Sequence, residues 1–299
     1  MAGTITTGNH PKDLWPGIKA WFGASYKEYP EEYREIYQVE KSTKAYEEEP
    51  GLSGFGLAAI KGEGAAVSYD SETQRYTKRY THTVYGLGYV VTREALDDGQ
   101  YEIVSKRRSK RLAFSMRQTK EIVGANVLNR AETSGYTGGD GVVLLSTSHT
   151  STAGTWSNKL STAADLSEAA LEDLVIQISQ ATNDRGLNIA LRPKKLIVAP
   201  GNMFEAKRIL KSEMRSGTAD NDLNALKGMF DFTVNHYLTD SDAWFILTDC
   251  PEGLKMFERR ALEFNQDNDF DTENARAKST MRFSVGWSDP HGVYGSMGA

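Results

Sequence analysis

The side chains that could do acid–base or nucleophilic chemistry are few and scattered. Cys250 is the single cysteine, and the five histidines are His10, His82, His149, His236 and His291. None of these pairs at a metal-ligand spacing, so the sequence predicts no zinc site. Ser148 precedes His149, but no Gly-x-Ser-x-Gly elbow surrounds it and no orienting acid is evident. We favour a structural loop histidine, and a hydrolase that uses Ser148 and His149 remains a remote alternative.

Two further patterns resemble ligand sites only loosely. Gly54-Phe55-Gly56 and Gly62-Glu63-Gly64 look like phosphate loops, yet neither lies between a predicted strand and a helix, and no Gly-Lys-Ser/Thr follows. The acidic residues over 267–273 lack the glycine and closing glutamate of a calcium loop, so we favour a solvated acidic loop over a weak cation site. The sequence therefore predicts no catalytic residue, no metal and no cofactor, and we expect the protein not to be an enzyme.

A basic block occupies 106–111, where five of six residues are lysine or arginine. Lys106, Lys110 and Arg117 share one face of the predicted helix that contains the block. The favoured interpretation is a solvated face with ion-pair partners one turn away. The alternative is contact with nucleic-acid phosphates without sequence readout, or with a neighbouring subunit.

The element that could position these groups is one long helix over residues 100–132. Its apolar stripe at helical spacing consists of Val104, Leu112, Met116, Val123 and Val127. Some thirty residues would span roughly 45 Å, at about 1.5 Å per residue. Gly124 interrupts the helix at a cost of about 1 kcal/mol relative to alanine.

A long β-hairpin is predicted over 51–92, because the run from 76 to 91 is rich in threonine, tyrosine and valine. Both faces of its outer part are half polar, and a lone two-stranded ribbon is barely stable in water. We therefore expect it to be stabilised on another molecule. The predicted contact residues are Lys61, Tyr69, Tyr76, Arg79 and Tyr80.

An extended arm is predicted over 1–13, followed by a short helix with an aromatic face. Trp15, Trp21 and Phe22 are its candidate intersubunit contacts, although packing onto the parent domain is equally favoured. The acidic residues 28–50 predict a solvated connecting segment.

The second half interleaves helices and strands irregularly. Asp165, with Glu168 three residues later, is the predicted cap of one helix, and Asn202 of another. Short apolar runs predict strands near 193–200, 230–237, 244–247 and 254–257, and strict alternation predicts one over 280–287. This order favours an α+β fold rather than a doubly wound parallel sheet.

Composition excludes several classes of protein. The 299 residues are 39% hydrophobic and 25% charged, with a net charge of -5, so no global basic field drives nucleic-acid binding. One cysteine cannot form an internal disulfide, which suits a reducing compartment. The first residues lack the pattern of a signal peptide, and no apolar run is long enough to cross a membrane.

Local motifs along the chain carry a family resemblance. They are His149, Asn158, Asp165-Leu166-Ser167, Ala170-Leu171, Asp184-Arg185-Gly186, Pro193, Leu196-Ile197-Val198, Pro200, Trp287-Ser288-Asp289 and Gly292-Val293-Tyr294-Gly295. With the order of elements, they make the chain resemble the major capsid proteins of tailed double-stranded-DNA bacteriophages, which have the Hong Kong 97-type fold. The Mu-like major head subunits look closest.

The resemblance implies a division of the chain. Residues 1–50 would form the arm and connecting segment, 51–92 the extended loop, 93–189 the spine helix and peripheral domain, 190–260 the axial domain, and 261–299 the return strands. It implies hexamers and pentamers that tile an icosahedral shell around double-stranded DNA, with assembly in the host bacterial cytoplasm.

The implied partners are other copies of the chain, a scaffolding protein, the portal, packaged DNA and decoration proteins, but no membrane. An encapsulin-like nanocompartment shell shares the fold and is the alternative function. Some relatives cross-link a hairpin lysine to an asparagine of a neighbour, for which Lys61, Lys78, Asn265 and Asn268 would be available. Because that reaction also needs a placed carboxylate, we expect no cross-link.

Overall fold

The computed structural model describes residues 16–98, 101–215, 222–269 and 271–299. Its helices are α1 (Pro16–Glu28), α2 (Tyr33–Ile36), α3 (Arg93–Asp97), α4 (Tyr101–Asn129), α5 (Glu168–Ser179) and α6 (Met203–Lys211). Its strands are β1 (Gln38–Lys41), β2 (Tyr46–Leu52), β3 (Gln74–Thr81), β4 (Thr83–Val91), β5 (His149–Ser151), β6 (Gly154–Trp156), β7 (Pro193–Val198), β8 (Asp231–Val234), β9 (Trp244–Thr248), β10 (Leu254–Asn268), β11 (Ala275–Trp287) and β12 (Val293–Ser296).

The first sheet has the strand order β1-β10-β11-β4, and α4 packs on one face of it. β11 is antiparallel to both β10 and β4, whereas β1 runs parallel to β10. The alternation in β11 turns Met281 and Phe283 inward, where they share a core with Leu112 and Met116 of α4. The period-2 pattern of a half-buried strand thus places the sheet beneath the long helix.

The second half of α4 is approached by two tyrosines from the segment around α2. The Tyr37 hydroxyl donates a hydrogen bond of 2.8 Å to the carbonyl of Gly124. A Cβ added at Gly124 would meet the Tyr37 ring at 3.5 Å and the Tyr33 Cβ at 3.6 Å. These are ordinary contact distances, so packing does not require a glycine at this point of the helix.

The second sheet has the order β12-β9-β7-β8 and packs with α5 and α6. β8 is parallel to β7, β9 is antiparallel to β7, and β12 pairs with the other edge of β9. Leu171 and Leu174 of α5 meet Leu196, Trp244 and Ile246 of the sheet in a fully buried core. Elements on both sides of the predicted axial segment 190–260 therefore share one core, and the predicted domain borders stay a prediction.

The hairpin predicted over 51–92 is wrong in its pairing. β2 pairs with β3, whereas β4 leaves this ribbon and pairs with β11 in the first sheet. Residues 53–73, called the extended loop below, join β2 to β3 without regular helix or strand. The projecting element is therefore a short ribbon that carries a long loop.

The acidic segment 28–50 is not the solvated connection that its composition predicted. Tyr33, Ile36 and Tyr37 are buried in the core of the first sheet. The glutamates further on belong to β2, where the register places Glu48 opposite Arg79 of β3. Opposite charges directly across a ladder stabilise the pairing, so an acidic strand forms here without an apolar face.

The predicted long helix is confirmed, with the bounds Tyr101–Asn129. The predicted cap of α5 is wrong: Ser167, not Asp165, accepts the hydrogen bond of the Ala170 amide at 3.3 Å. Asn202 does stand at the N-cap of α6, but its side chain makes no capping hydrogen bond.

Candidate assembly surfaces

The extended loop exposes most of its apolar side chains. Leu57 is 82% exposed and Tyr69 is 97% exposed, and Phe55, Ile60 and Val67 are also open to solvent. Exposed apolar surface of this extent on one segment is typical of an interaction site rather than of a free surface. The loop is therefore the first candidate for contact between subunits.

The base of the loop is closed by its own hydrogen bonds. The Ser53 amide donates to the Thr73 carbonyl, and the Thr73 amide donates to the Ser53 hydroxyl, each over 3.0 Å. Further out, the Gly56 amide donates to Asp70 Oδ2 over 2.8 Å. The two limbs are thus joined below the apolar tip.

The predicted contact residues of the hairpin occupy different environments. Lys61 and Tyr69 lie on the exposed loop. Arg79 is exposed on β3, where it pairs with Glu48 across the ladder. Tyr76 is half-buried, and its ring packs against Gly51 and Gly139 of the same subunit.

Tyr80 is a correction to the predicted contact set. Its side chain is only 2% exposed, and its ring packs edge-on against Phe257 with centroids 4.9 Å apart. Its hydroxyl forms a hydrogen bond with Ser288, and burial raises the pKa of Tyr80 above the usual value. A side chain enclosed in its own subunit is not available to a neighbour.

The helix α1 packs on its own subunit. Phe22 is 4% exposed and stacks on Phe264 of β10 with ring centroids 4.6 Å apart, so its prediction as an intersubunit contact is wrong. Trp21 is half-buried, with the Lys106 ammonium 5.2 Å from its ring centroid. Trp15 lies outside the described residues. Of the two interpretations of this helix, packing on the parent domain is confirmed for Phe22.

The basic block of α4 divides into exposed and buried cations. Lys106 and Lys110 are exposed, as is Arg107 between them. Arg117 is 2% exposed, because the segment that links α1 to α2 covers this turn of the helix. Its guanidinium pairs with Glu31 at 2.6 Å, so the prediction that Arg117 faces DNA or a neighbour is wrong.

A buried acid lies one turn beyond Arg117. Glu121 is 2% exposed, and its Oε2 accepts the Tyr33 amide hydrogen bond at 2.9 Å. Its Oε1 lies 3.5 Å from Arg117 Nε, and both atoms are buried without a hydrogen-bond partner. Burial raises the pKa of Glu121 to about 7, although the Tyr33 amide and Arg117 act in the opposite direction. This carboxyl group holds the first residue of α2 on α4, and its charge changes near neutral pH.

The remote hydrolase alternative can be tested at His149. An acid is present, since Asp140 Oδ2 lies 2.7 Å from His149 Nδ1, beside a pocket of about 430 Å³. The other ring nitrogen lies 3.2 Å from Asn158 Oδ1, so both nitrogens of His149 are engaged. The Ser148 hydroxyl is exposed and bonds to the Ser146 hydroxyl. His149 is therefore a buried structural histidine that cannot activate Ser148 in this arrangement.

Neither a membrane-spanning nor a metal-binding element is found within the described ranges. No helix there is both long and apolar enough to cross a membrane. Nor do those residues gather three or more histidine, cysteine, aspartate or glutamate side chains that could hold a metal ion.

Two features of these surfaces were not predicted from residue patterns. Asp184 and Arg185 were named in the sequence only as part of a family resemblance. In the structure Asp184 binds β3, and Arg185 binds the return limb of the extended loop. The available signal was the opposite charge of Asp70, near the end of that loop, and Arg75, at the start of β3. Glu121 gave no signal, because only the fold places Tyr33 and Arg117 around it.

Comparison with known proteins gives one family match. The chain matches the family described as phage capsid protein over residues 75–296. No curated protein matches the chain.

Solved structures of similar fold cover almost the whole chain. A virus-like particle from Pyrococcus furiosus has a TM-score of 0.56 and 12% identity, over 95% of this chain and 99% of that chain. The procapsid of bacteriophage JBD30 has a TM-score of 0.54 and 14% identity, over 98% of this chain and 76% of that chain. The structure of Mycobacterium phage Adephagia has a TM-score of 0.54 and 12% identity, over 99% of both chains. At such identities the likeness shows the fold alone.

Proposed function

Because this chain belongs to the phage capsid protein family and has the Hong Kong 97-type fold, it is a subunit of a capsid shell, and we propose that it assembles as hexamers and pentamers into an icosahedral phage head. The head encloses double-stranded DNA, and a scaffolding protein and the portal take part in its assembly in the host cytoplasm. Decoration proteins are further proposed partners. We further propose that it is a major head subunit of the Mu-like type.

The observation that carries the proposal is the exposed apolar extended loop. The side chains of Leu57, Ile60 and Tyr69 bury little apolar area within their own subunit, because each of them is open to solvent. Covering them on a neighbouring subunit would remove apolar area from water at about 25 cal/mol per Å². A closed shell repeats this contact with symmetry, so modest energies per contact accumulate.

The first experiment shortens the loop without disturbing its base. Residues 57–68 are replaced by a short glycine–serine linker, which keeps Gly56, Asp70 and the bonds between Ser53 and Thr73. The shortened subunit should keep its circular dichroism spectrum and form no closed shells in electron micrographs. Normal shells from this variant would show that the loop is dispensable and that other surfaces join the subunits.

A milder pair of variants serves as the matched comparison. Leu57→Ser with Tyr69→Ser should reduce the yield of shells, because both exposed apolar contacts are lost. Ile176→Ser removes an apolar side chain that is 55% exposed on α5 and should leave the yield unchanged. Equal losses in both would indicate a general effect of surface polarity.

The cargo separates a phage head from a nanocompartment. Lys106, Arg107 and Lys110 are exposed on α4, and the proposal assigns these cations to packaged DNA or to the acidic surface of a neighbour. Purified heads should protect DNA from added nuclease. Shells that contain protein cargo and no protected DNA would favour the nanocompartment alternative instead.

A further inference from the structure

Two ion pairs join the extended loop and the start of β3 to a distant turn of the same subunit. Asp184 and Arg185 are neighbours in the turn that follows α5. Asp184 pairs with Arg75, the second residue of β3. Arg185 Nη1 pairs with Asp70 Oδ2 at 2.8 Å, and its Nη2 donates to the Ser71 carbonyl. One acidic residue of the turn thus binds a basic residue of β3, and the basic residue beside it binds an acidic residue of the loop's return limb.

The turn that holds these pairs is itself fixed. The Asn183 side chain accepts hydrogen bonds from the amides of Arg185 at 3.0 Å and Leu187 at 2.9 Å. Asp184 also accepts the Thr152 amide at 2.9 Å, which joins the turn to the β5–β6 hairpin. Gly186 has a φ of +80°, a conformation that suits glycine at the end of such a turn. The anchor is therefore a rigid part of the subunit.

Asp70 connects this turn to both limbs of the loop. Its Oδ2 binds Arg185 and also accepts the amide of Gly56 on the outgoing limb at 2.8 Å. Backbone hydrogen bonds from Gly56 and Ser71 lower the pKa of Asp70, so the carboxylate is ionised at neutral pH. Beyond this point residues 57–69 are all exposed. The direction of the apolar tip is set where Asp70 meets Arg185.

We propose that Asp184 and Arg185 are positioning residues for assembly, which hold the extended loop at the angle at which its tip meets a neighbouring subunit. The inference rests on the proposed role of the loop as an intersubunit contact. It assigns to the turn a function in the geometry of the shell rather than in the stability of the subunit. The side chains of Arg185 and Asp70 are 28% and 45% exposed, and ion pairs this open to water contribute little to stability.

The test reverses and then restores one ion pair. Arg185→Glu places two carboxylates together and should free the loop base, while Asp70→Lys with Arg185→Glu restores opposite charges. The single variant should lose closed shells and form irregular or open assemblies in electron micrographs, with an unchanged melting temperature. The double variant should recover closed shells in part, because the ion pair returns but the hydrogen bond to Gly56 does not. Lys211→Glu on α6, which breaks an exposed ion pair with Asp231 of β8, is the matched control for a change of charge.

A second measurement tests the ion pair in the unassembled subunit, independently of whether shells form. Amide hydrogen exchange on the unassembled subunit should be faster at Ser53 and Thr73 in Arg185→Glu than in the wild type, and slower again in the double variant. The acceptors of these two amides, the Thr73 carbonyl and the Ser53 hydroxyl, are kept in both variants. Normal shells from Arg185→Glu, or a double variant as defective as the single one, would overturn the positioning role. If the wild type itself forms no shells, the proposed function fails, while the exchange data still report on the ion pair between Asp70 and Arg185. Should Arg185→Glu not fold, Asp70→Asn tests the same contact from the exposed loop.

Discussion

Glu121 offers a quantitative test of how α2 is held on α4. The variant is Glu121→Gln, which removes the charge but keeps an oxygen that can accept the Tyr33 amide hydrogen bond. The side chain is 2% exposed, so solvent screens its interactions little. The variant therefore isolates the ionisation of one buried carboxyl group.

The magnitude follows from the pKa. Burial raises the pKa of Glu121 from 4.5 to about 7. Since one unit corresponds to about 1.4 kcal/mol, the shift is worth up to about 3 kcal/mol of unfolding free energy. Between these two values the folded state binds the proton and the unfolded state does not. The contribution of Glu121 therefore makes the wild type more stable near pH 5 and less stable as the pH rises through 7.

The assay is urea unfolding of the unassembled subunit, followed by circular dichroism at pH 5, 6, 7 and 8. At pH 8 the unfolding free energy of Glu121→Gln should exceed that of the wild type by up to about 3 kcal/mol. Near pH 5 the two values should approach each other. Burial lowers the pKa of His82, which favours folding at the higher pH, but this opposing effect is present in both proteins and cancels in their difference. Glu28→Gln, at an exposed position of α1, is the control.

Two outcomes would refute this reasoning. Parallel pH profiles of the wild type and Glu121→Gln would mean that the carboxyl group does not titrate in this range. A variant less stable than the wild type at pH 8 would mean that the ionised carboxylate stabilises the fold as a partner of Arg117.

Three further predictions follow from the fold and its surfaces. Gly124→Ala should raise the unfolding free energy by up to about 1 kcal/mol, since the added Cβ meets its neighbours at ordinary distances and alanine favours the helix; a lower melting temperature would contradict this. Lys106→Gln with Lys110→Gln should weaken DNA retention in heads as salt is raised, while unchanged retention at every salt concentration would exclude these cations from DNA contact. Mature particles should give one band near 33.1 kDa in denaturing electrophoresis, whereas a ladder resistant to boiling and reductant would show that a lysine such as Lys61 is cross-linked.

Elements with a strong local pattern could be predicted from the sequence. The alternation around Met281 and Phe283 is a property of β11 alone, and the apolar run Leu196-Ile197-Val198 defines a fully buried strand without reference to its neighbours. The long helix is predictable for the same reason, because a stripe repeated over many turns has no competing interpretation. These elements fix the fold class.

Features decided by a distant partner were not predictable in this way. The helical spacing correctly groups Arg117 with Lys110, but it cannot say which turn another segment will cover, and the residues around Tyr29 cover the turn of Arg117. β2 was missed because its glutamates are balanced by cations on β3 and by Lys255 of β10. The ion pair of Arg75 with Asp184 joins elements far apart in the chain, so no local pattern contains it.

The place of β12 in the second sheet sets an order of events during synthesis. β9 is buried between β7 and β12, yet β12 is translated about 45 residues after β9, a lag of several seconds at about 5–20 residues per second. Throughout that lag the edge of β9 has backbone amides and carbonyls without partners, and an open edge pairs readily with another chain. A subunit in which β12 has not yet paired therefore presents an edge of β9 at which another copy could add a strand.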